Sequence, residues 1–165
     1  TISNCSNNYG PFQFPEKLIP LCIANMLQGR ALPVYGQGQN IRDWIHVHDH
    51  CRGIDSVINR GRTGQTYNIG GDCEISNLEL VRTLCRMMDV KTPSSAGRPY
   101  EQLIEYVDDR PGHDLRYALN CHKVMSELDW SPQIGLQEGL AQTIDWYVHN
   151  EQWLQPFFDV SNLSP

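Results

Sequence analysis

Asn4-Cys5-Ser6-Asn7-Asn8-Tyr9-Gly10-Pro11 is the run on which the fold of this chain turns. Three Asn with Gly-Pro are too polar for a core strand. Taken alone, the run fits an Asn-rich turn as well as it fits a binding segment, because Asn tolerates left-handed backbone. The residues after it decide between the two. Pro15-Glu16-Lys17-Leu18-Ile19 opens a helix, with Pro in the first turn and an acid at the positive end of the dipole. Leu18, Leu21, Cys22 and Met26 recur at helical spacing, and Gly29 closes the helix. Leu32-Pro33-Val34-Tyr35 is a short extended piece before the turn Gly36-Gln37-Gly38-Gln39-Asn40.

Further along, Asp43 to Val47 alternates like a strand and leads into a helix from about Asp49 to Ile58, with Cys51, Ile54 and Val57 or Ile58 inward. Gln65 to Ile69 reads as a strand running into Gly70-Gly71. Ser76 with Glu79 predicts a capping box for a helix carrying Leu78, Val81, Leu84, Cys85 and Met88. Thr92 to Pro99 reads as a loop and Leu103 to Val107 as a strand. Asn120 is expected to cap a short helix with Val124 and Leu128, and a last helix is expected from about Leu136 to His149. Strands alternating with helices and no internal repeat give an α/β fold.

Bulk properties narrow the function. The chain has 165 residues, 40% apolar and 19% charged, which suits one globular domain. A net charge of −6 argues against nucleic acid as a partner. No stretch approaches the roughly 20 apolar residues of a membrane span, and no signal peptide is visible. The six cysteines form no CxxC pair, so reduced thiols in a cytoplasmic protein are expected.

Several residues are candidates for chemistry. Lys17, Arg42, Arg110 and Arg116 are the cations available for phosphate, since the guanidinium is a planar fork of donors. Arg42, between a Gly-rich turn and a strand, and Arg110, held between Asp109 and Pro111-Gly112, are the better placed. His46, His48 and His50 alternate as zinc ligands on a strand would. Asp49-His50-Cys51-Arg52 reads as a helix start, however, so no metal site is expected. Gly36-Gln37-Gly38 lacks the third Gly of a dinucleotide loop and no helix follows it. Neither GxxGxxG nor Tyr-x-x-x-Lys occurs in the sequence.

The ordered set of Asn4 to Pro11, Phe14-Pro15-Glu16-Lys17-Leu18, Arg42-Asp43-Trp44, Tyr67-Asn68-Ile69-Gly70-Gly71, Asp109-Arg110-Pro111-Gly112-His113 and Trp130-Ser131-Pro132 resembles the C-terminal half of the extended short-chain dehydrogenase/reductases. Within them it is most similar to the dTDP-glucose 4,6-dehydratase branch. The likeness spans Asn4 to about Trp153, with an aromatic residue and an acid usual where His46 and His48 stand here.

That resemblance implies a Rossmann-like parent of which residues 1–165 are the nucleotide-sugar-binding portion. The NAD-binding portion, with the Tyr-Lys pair and the Asp-Glu pair that removes water, would lie outside this chain, which would then be inactive alone and hold no catalytic residue. The substrate would be a dTDP-hexose, oxidised at C4, dehydrated across C5 and C6, and reduced at C6. Asn7, Lys17, Leu18, Pro33, Val34, Tyr35, Arg42 and Arg110, and more weakly Asn77 and His113, would contact the substrate, and Asn8 would lie near the nicotinamide end of NAD. The parent would be a homodimer built from helices of the cofactor half, so the chain alone would not form it. The alternatives are a sibling epimerase or decarboxylase, and a non-catalytic nucleotide-sugar-binding module.

Overall fold

The computed structural model describes residues 1–158. In chain order the elements are β1 (Ile2–Cys5), β2 (Asn7–Tyr9), α1 (Leu18–Leu27), β3 (Leu32–Tyr35), β4 (Ile41–His46), α2 (Val47–Arg60), β5 (Thr66–Ile69) and β6 (Glu74–Ser76). They continue with α3 (Asn77–Lys91), a 3-10 turn at Tyr100–Leu103, β7 (Ile104–Val107), β8 (Arg116–Tyr117), α4 (His122–Leu128), α5 (Leu136–His149) and α6 (Glu151–Phe158). Among the described residues no helix is long and apolar enough to cross a membrane.

The Asn-rich run is extended, not a turn. β1 pairs with β5 in parallel, from Ile2 opposite Thr66 to Cys5 opposite Ile69. At Ser6 the chain changes partner, and β2 pairs in parallel with β4, Asn7 opposite Trp44 and Tyr9 opposite His46. The run is a strand because its backbone is paired. Its Asn side chains stay clear of the core: Asn4 is exposed and donates to Asn68 Oδ1 at 3.3 Å, and Asn7 and Asn8 are half-buried.

β4 is the central strand. β6 runs antiparallel along it and β8 parallel, both pairing at Ile41 and Arg42 and therefore on opposite edges. Successive residues point to opposite faces. Trp44 accordingly enters a large core formed by α1, α3, α5 and β3, while Ile45 enters a smaller one with Val57, Tyr67, Ile69, Val124 and Trp130. β3 pairs with β7 in a separate two-stranded ribbon. The backbone of Gly71 lies against β4, where a Cβ would overlap the Trp44 carbonyl oxygen.

Several boundaries differ from the sequence reading. α1 begins at Leu18, not Pro15, so its first turn holds no acid. α2 begins at Val47, and Ile58 is exposed while Val57 is buried. Ser76 Oγ accepts the Glu79 N–H at 3.3 Å, but the Glu79 carboxylate pairs with Arg86 at 2.5 Å, which leaves half a capping box. Asn120 Oδ1 accepts the His122 N–H at 2.9 Å from one residue before the N-cap, Cys121.

Candidate functional site

A cleft of about 530 Å³ opens where β2, β4, α1 and β3 converge. Asn7 and Asn8 reach it from β2, Arg42 and Trp44 from β4, Leu18 and Leu21 from α1, and Pro33 and Tyr35 from β3. The loops add Gln13, Glu16 and Lys17 before α1 and Arg110 and His113 before β8, and Asn77 adds the start of α3. Ten of the eleven binding residues named from the sequence therefore surround one space. Val34 does not. It is 2% exposed and packs in the core, because alternation on β3 turns Pro33 and Tyr35 to the cleft and Val34 inward.

The cleft has an apolar wall of Leu18, Leu21, Pro33 and Tyr35, with the Tyr35 ring edge-on to His113 at 6.3 Å between centroids. Its other wall is basic. Arg42 is 7% exposed, and its guanidinium donates to the backbone oxygens of Ile41 at 2.7 Å and Asp114 at 2.8 Å. Neither acid close in sequence is bonded to it. Asp43 accepts the N–H groups of Gly71 at 3.1 Å and Cys73 at 2.8 Å. Asp49 accepts those of Gln133 and Ile134 and pairs with Arg52. Lys17 is exposed and bonded to Glu16 at 2.6 Å. Asp109 accepts from the His113 ring at 2.7 Å and from the Arg110 N–H at 2.9 Å, and the His113 bond above all holds its carboxyl below the usual carboxylate range.

Three residues of the cleft carry a buried polar atom without a hydrogen-bond partner: Gln13 Oε1, Trp44 Nε1 and Asn77 Oδ1. Such atoms cost free energy unless a ligand or water answers them. Gln13 and Trp44 are absent from the sequence-based set, as are Glu16 and Leu21. Two of these were open to inference: Trp44 lies two residues beyond Arg42 on the same strand, and Leu21 one helical turn beyond Leu18. Gln13 carried no such signal, being placed by Tyr147, whose hydroxyl donates to the Gln13 carbonyl oxygen at 2.7 Å from 134 residues away.

Other candidates lie elsewhere. Arg116 is outside the cleft, joined to Glu74 by two bonds of 2.6 Å. β4 ends at His46, so the three alternate His do not share a face. His46 is buried, His48 exposed, and His50 sits on α2 with Nδ1 2.8 Å from Asn8 Oδ1. Among the described residues no group of three or more metal-ligating side chains assembles. The Gly36-Gln37-Gly38 turn runs into β4 and not into a helix N-terminus, so this turn is not a cradle for the pyrophosphate of NAD.

Comparison with known proteins agrees with this geometry. The family model described as GDP-mannose 4,6 dehydratase matches residues 1–143. A dTDP-glucose 4,6-dehydratase of Xanthomonas campestris pv. campestris is 52% identical over 159 residues, covering 96% of this chain and 45% of that protein. One from Escherichia coli is 49% identical over 162 residues, covering 97% and 45%. Among solved structures, the dTDP-glucose 4,6-dehydratase of Bacillus anthracis in complex with NAD matches with a TM-score of 0.84 at 47% identity, covering 93% of this chain and 46% of that one. DesIV of Streptomyces venezuelae, the same enzyme with NAD and TYD bound, matches at 0.85 and 45%, covering 94% and 45%. A UDP-glucose 4-epimerase of Thermotoga maritima shares the fold, with a TM-score of 0.80 at 24% identity. The chain spans about half the length of the curated relatives it matches. By the family match over most of its length, the chain belongs to the GDP-mannose 4,6 dehydratase family.

Proposed function

We propose that this chain is the sugar-nucleotide-holding part of an NAD-dependent dehydratase that acts on dTDP-glucose, and that its cleft binds the nucleoside diphosphate. Arg42 carries the proposal. A guanidinium buried to 7% exposure, bonded only to backbone oxygens and with the adjoining Asp43 committed to backbone N–H groups, needs a counter-charge, and the cleft it lines is where one can arrive. Arg110, also on the cleft, adds a second cation for a diphosphate. The wall of Leu18, Leu21, Pro33 and Tyr35 gives the base an apolar surface, and Asn7 reaches toward the sugar. Val34 supports that wall from behind.

NAD would be held outside this chain, with Asn8 at its nicotinamide end. The chain's own work is orientation, fixing the sugar so that its reacting carbons stand at the open end of the cleft. A homodimer of the whole enzyme belongs to the same reading, and the six unpaired cysteines suit a cytoplasmic setting. The relatives near 50% identity favour dehydration over the epimerase and decarboxylase alternatives and over a non-catalytic module.

Titration of dTDP into Arg42→Ala and Arg110→Ala tests the site. A charge-assisted hydrogen bond is worth about 1.5–3 kcal/mol, so each change should weaken binding about tenfold or more. Arg42→Lys should recover part of the loss, because an ammonium cannot make the bidentate contact. Unaltered affinity in both Ala variants, with only a lower Tm, would overturn the assignment.

A further inference from the structure

We propose that His50 is a positioning residue for the reacting end of the sugar nucleotide, because its imidazole, together with the Ser6 carbonyl, holds the Asn8 carboxamide in one orientation beside the cleft. The proposal rests on the nucleotide-binding role of the cleft.

Asn8 lies on β2 opposite Ile45 and lines the cleft beside Asn7. Its Nδ2 donates to the Ser6 carbonyl oxygen at 3.1 Å. A carbonyl oxygen only accepts, so the amide nitrogen must be the atom facing Ser6. That turns Oδ1 toward α2, where His50 Nδ1 stands 2.8 Å away. An amide oxygen also only accepts, so Nδ1 must carry the proton. Burial holds His50 below the ordinary histidine range, which favours the neutral ring with Nδ1–H and a free lone pair on Nε2. The two bonds together determine both the flip of the amide and the tautomer of the ring.

The backbone of Asn8 is held as well. Its carbonyl oxygen accepts from Gln13 Nε2 at 2.8 Å, and Gln13 is tied to α5 through Tyr147. One N–H of the carboxamide is left uncommitted. With Oδ1 turned to His50 and Nδ2 to Ser6, the remaining N–H of Asn8 is a donor available to the cleft, suited to an oxygen of the sugar beside the nicotinamide end. Without the imidazole, Oδ1 loses its partner and the carboxamide, left with the Ser6 bond alone, swings about its terminal torsion and no longer holds its free N–H in one direction. No residue dedicated to this task stands out in the sequence, since His50 is 42 positions from Asn8 and reads as one turn of a helix.

The test combines a tautomer measurement with two ligands. In the unmutated, isotope-labelled chain, nitrogen NMR should show His50 protonated on Nδ1 and bare on Nε2. His50→Phe keeps a ring and removes the donor. His50→Asn keeps an N–H donor close to the Nδ1 position. His50→Phe is expected to weaken dTDP-glucose binding about fivefold, the size of one neutral hydrogen bond, and to leave dTDP binding unchanged. His50→Asn should restore affinity for dTDP-glucose to within about twofold of the unmutated chain. A purely structural tie between α2 and β2 would lower affinity for both ligands alike. That outcome overturns the proposal, and so does His50→Phe binding dTDP-glucose as tightly as the unmutated chain. If His50→Phe does not fold, the tautomer and His50→Asn decide: an Nε2-protonated ring, or loss of dTDP-glucose binding in His50→Asn with dTDP binding intact, overturns it. An unmutated chain that binds neither ligand would instead remove the nucleotide-binding role of the cleft, and the inference with it.

Discussion

Arg42 and Asp43 are neighbours on one strand and illustrate two fates of a buried charge. The Asp43 carboxylate, 1% exposed, is spent on the N–H groups of Gly71 and Cys73, which lock β4 to the turn before β6. The Arg42 guanidinium reaches only backbone carbonyls and keeps its full charge for the cleft. Asp43→Ala should therefore destabilise the fold by about 1–3 kcal/mol for each donor left unpaired, read as a lower urea midpoint. Asp43→Ala unfolding at the same midpoint would refute the locking role. At this scale the sequence was informative wherever the neighbour was local. Arg42 could be singled out by its place between a Gly-rich turn and a strand. Arg116 could not be set aside, because its partner Glu74 lies 42 positions away and only folding brings the two together. Val34 stands with Pro33 and Tyr35 only as a run of sequence, and strand alternation turns it inward.

Among the elements, α5 is legible in the sequence at its bounds, since its apolar spacing at Leu140, Ile144 and Tyr147 is the face that packs in the core. β1 and β2 resisted reading. Their composition is polar because their side chains serve the cleft and the surface, while pairing comes from the backbone, which composition does not report. β6 and β8 are only three and two residues long and exist as edges of β4. They are joined over it by the Glu74–Arg116 pair, and the Arg116 bond holds the Glu74 carboxyl below its usual range. A depressed folded value means that the pair stabilises fully above the unfolded carboxylate value and loses this contribution as pH falls through the folded one. Glu74→Gln should thus lower Tm near neutral pH, and the gap to the unmutated chain should close as the solution is acidified below the carboxylate range. A gap independent of pH would show that packing, not charge, joins these edges.

At the scale of the whole molecule, two cores on opposite faces of β4 hold a cleft whose walls come from widely separated parts of the sequence. β1 pairs only with β5 among the described residues and carries the exposed Ile2, leaving a strand edge of the kind that invites association. Sedimentation of the chain alone should show monomer or irregular aggregates, and a clean dimer independent of concentration would show instead that the chain carries a dimer interface of its own. Incubated with dTDP-glucose and NAD, the chain alone should form no 4-keto-6-deoxy product, because neither GxxGxxG nor Tyr-x-x-x-Lys is present in it. Turnover that tracks with the purified chain would refute that. A crystal structure of the chain with dTDP-glucose would show whether the cleft receives the diphosphate of a sugar nucleotide. Phosphate oxygens are expected within hydrogen-bond distance of the Arg42 and Arg110 guanidinium groups, with the thymine against Pro33 and Tyr35. A ligand bound away from Arg42, or with its phosphates turned from both arginines, would contradict this placement.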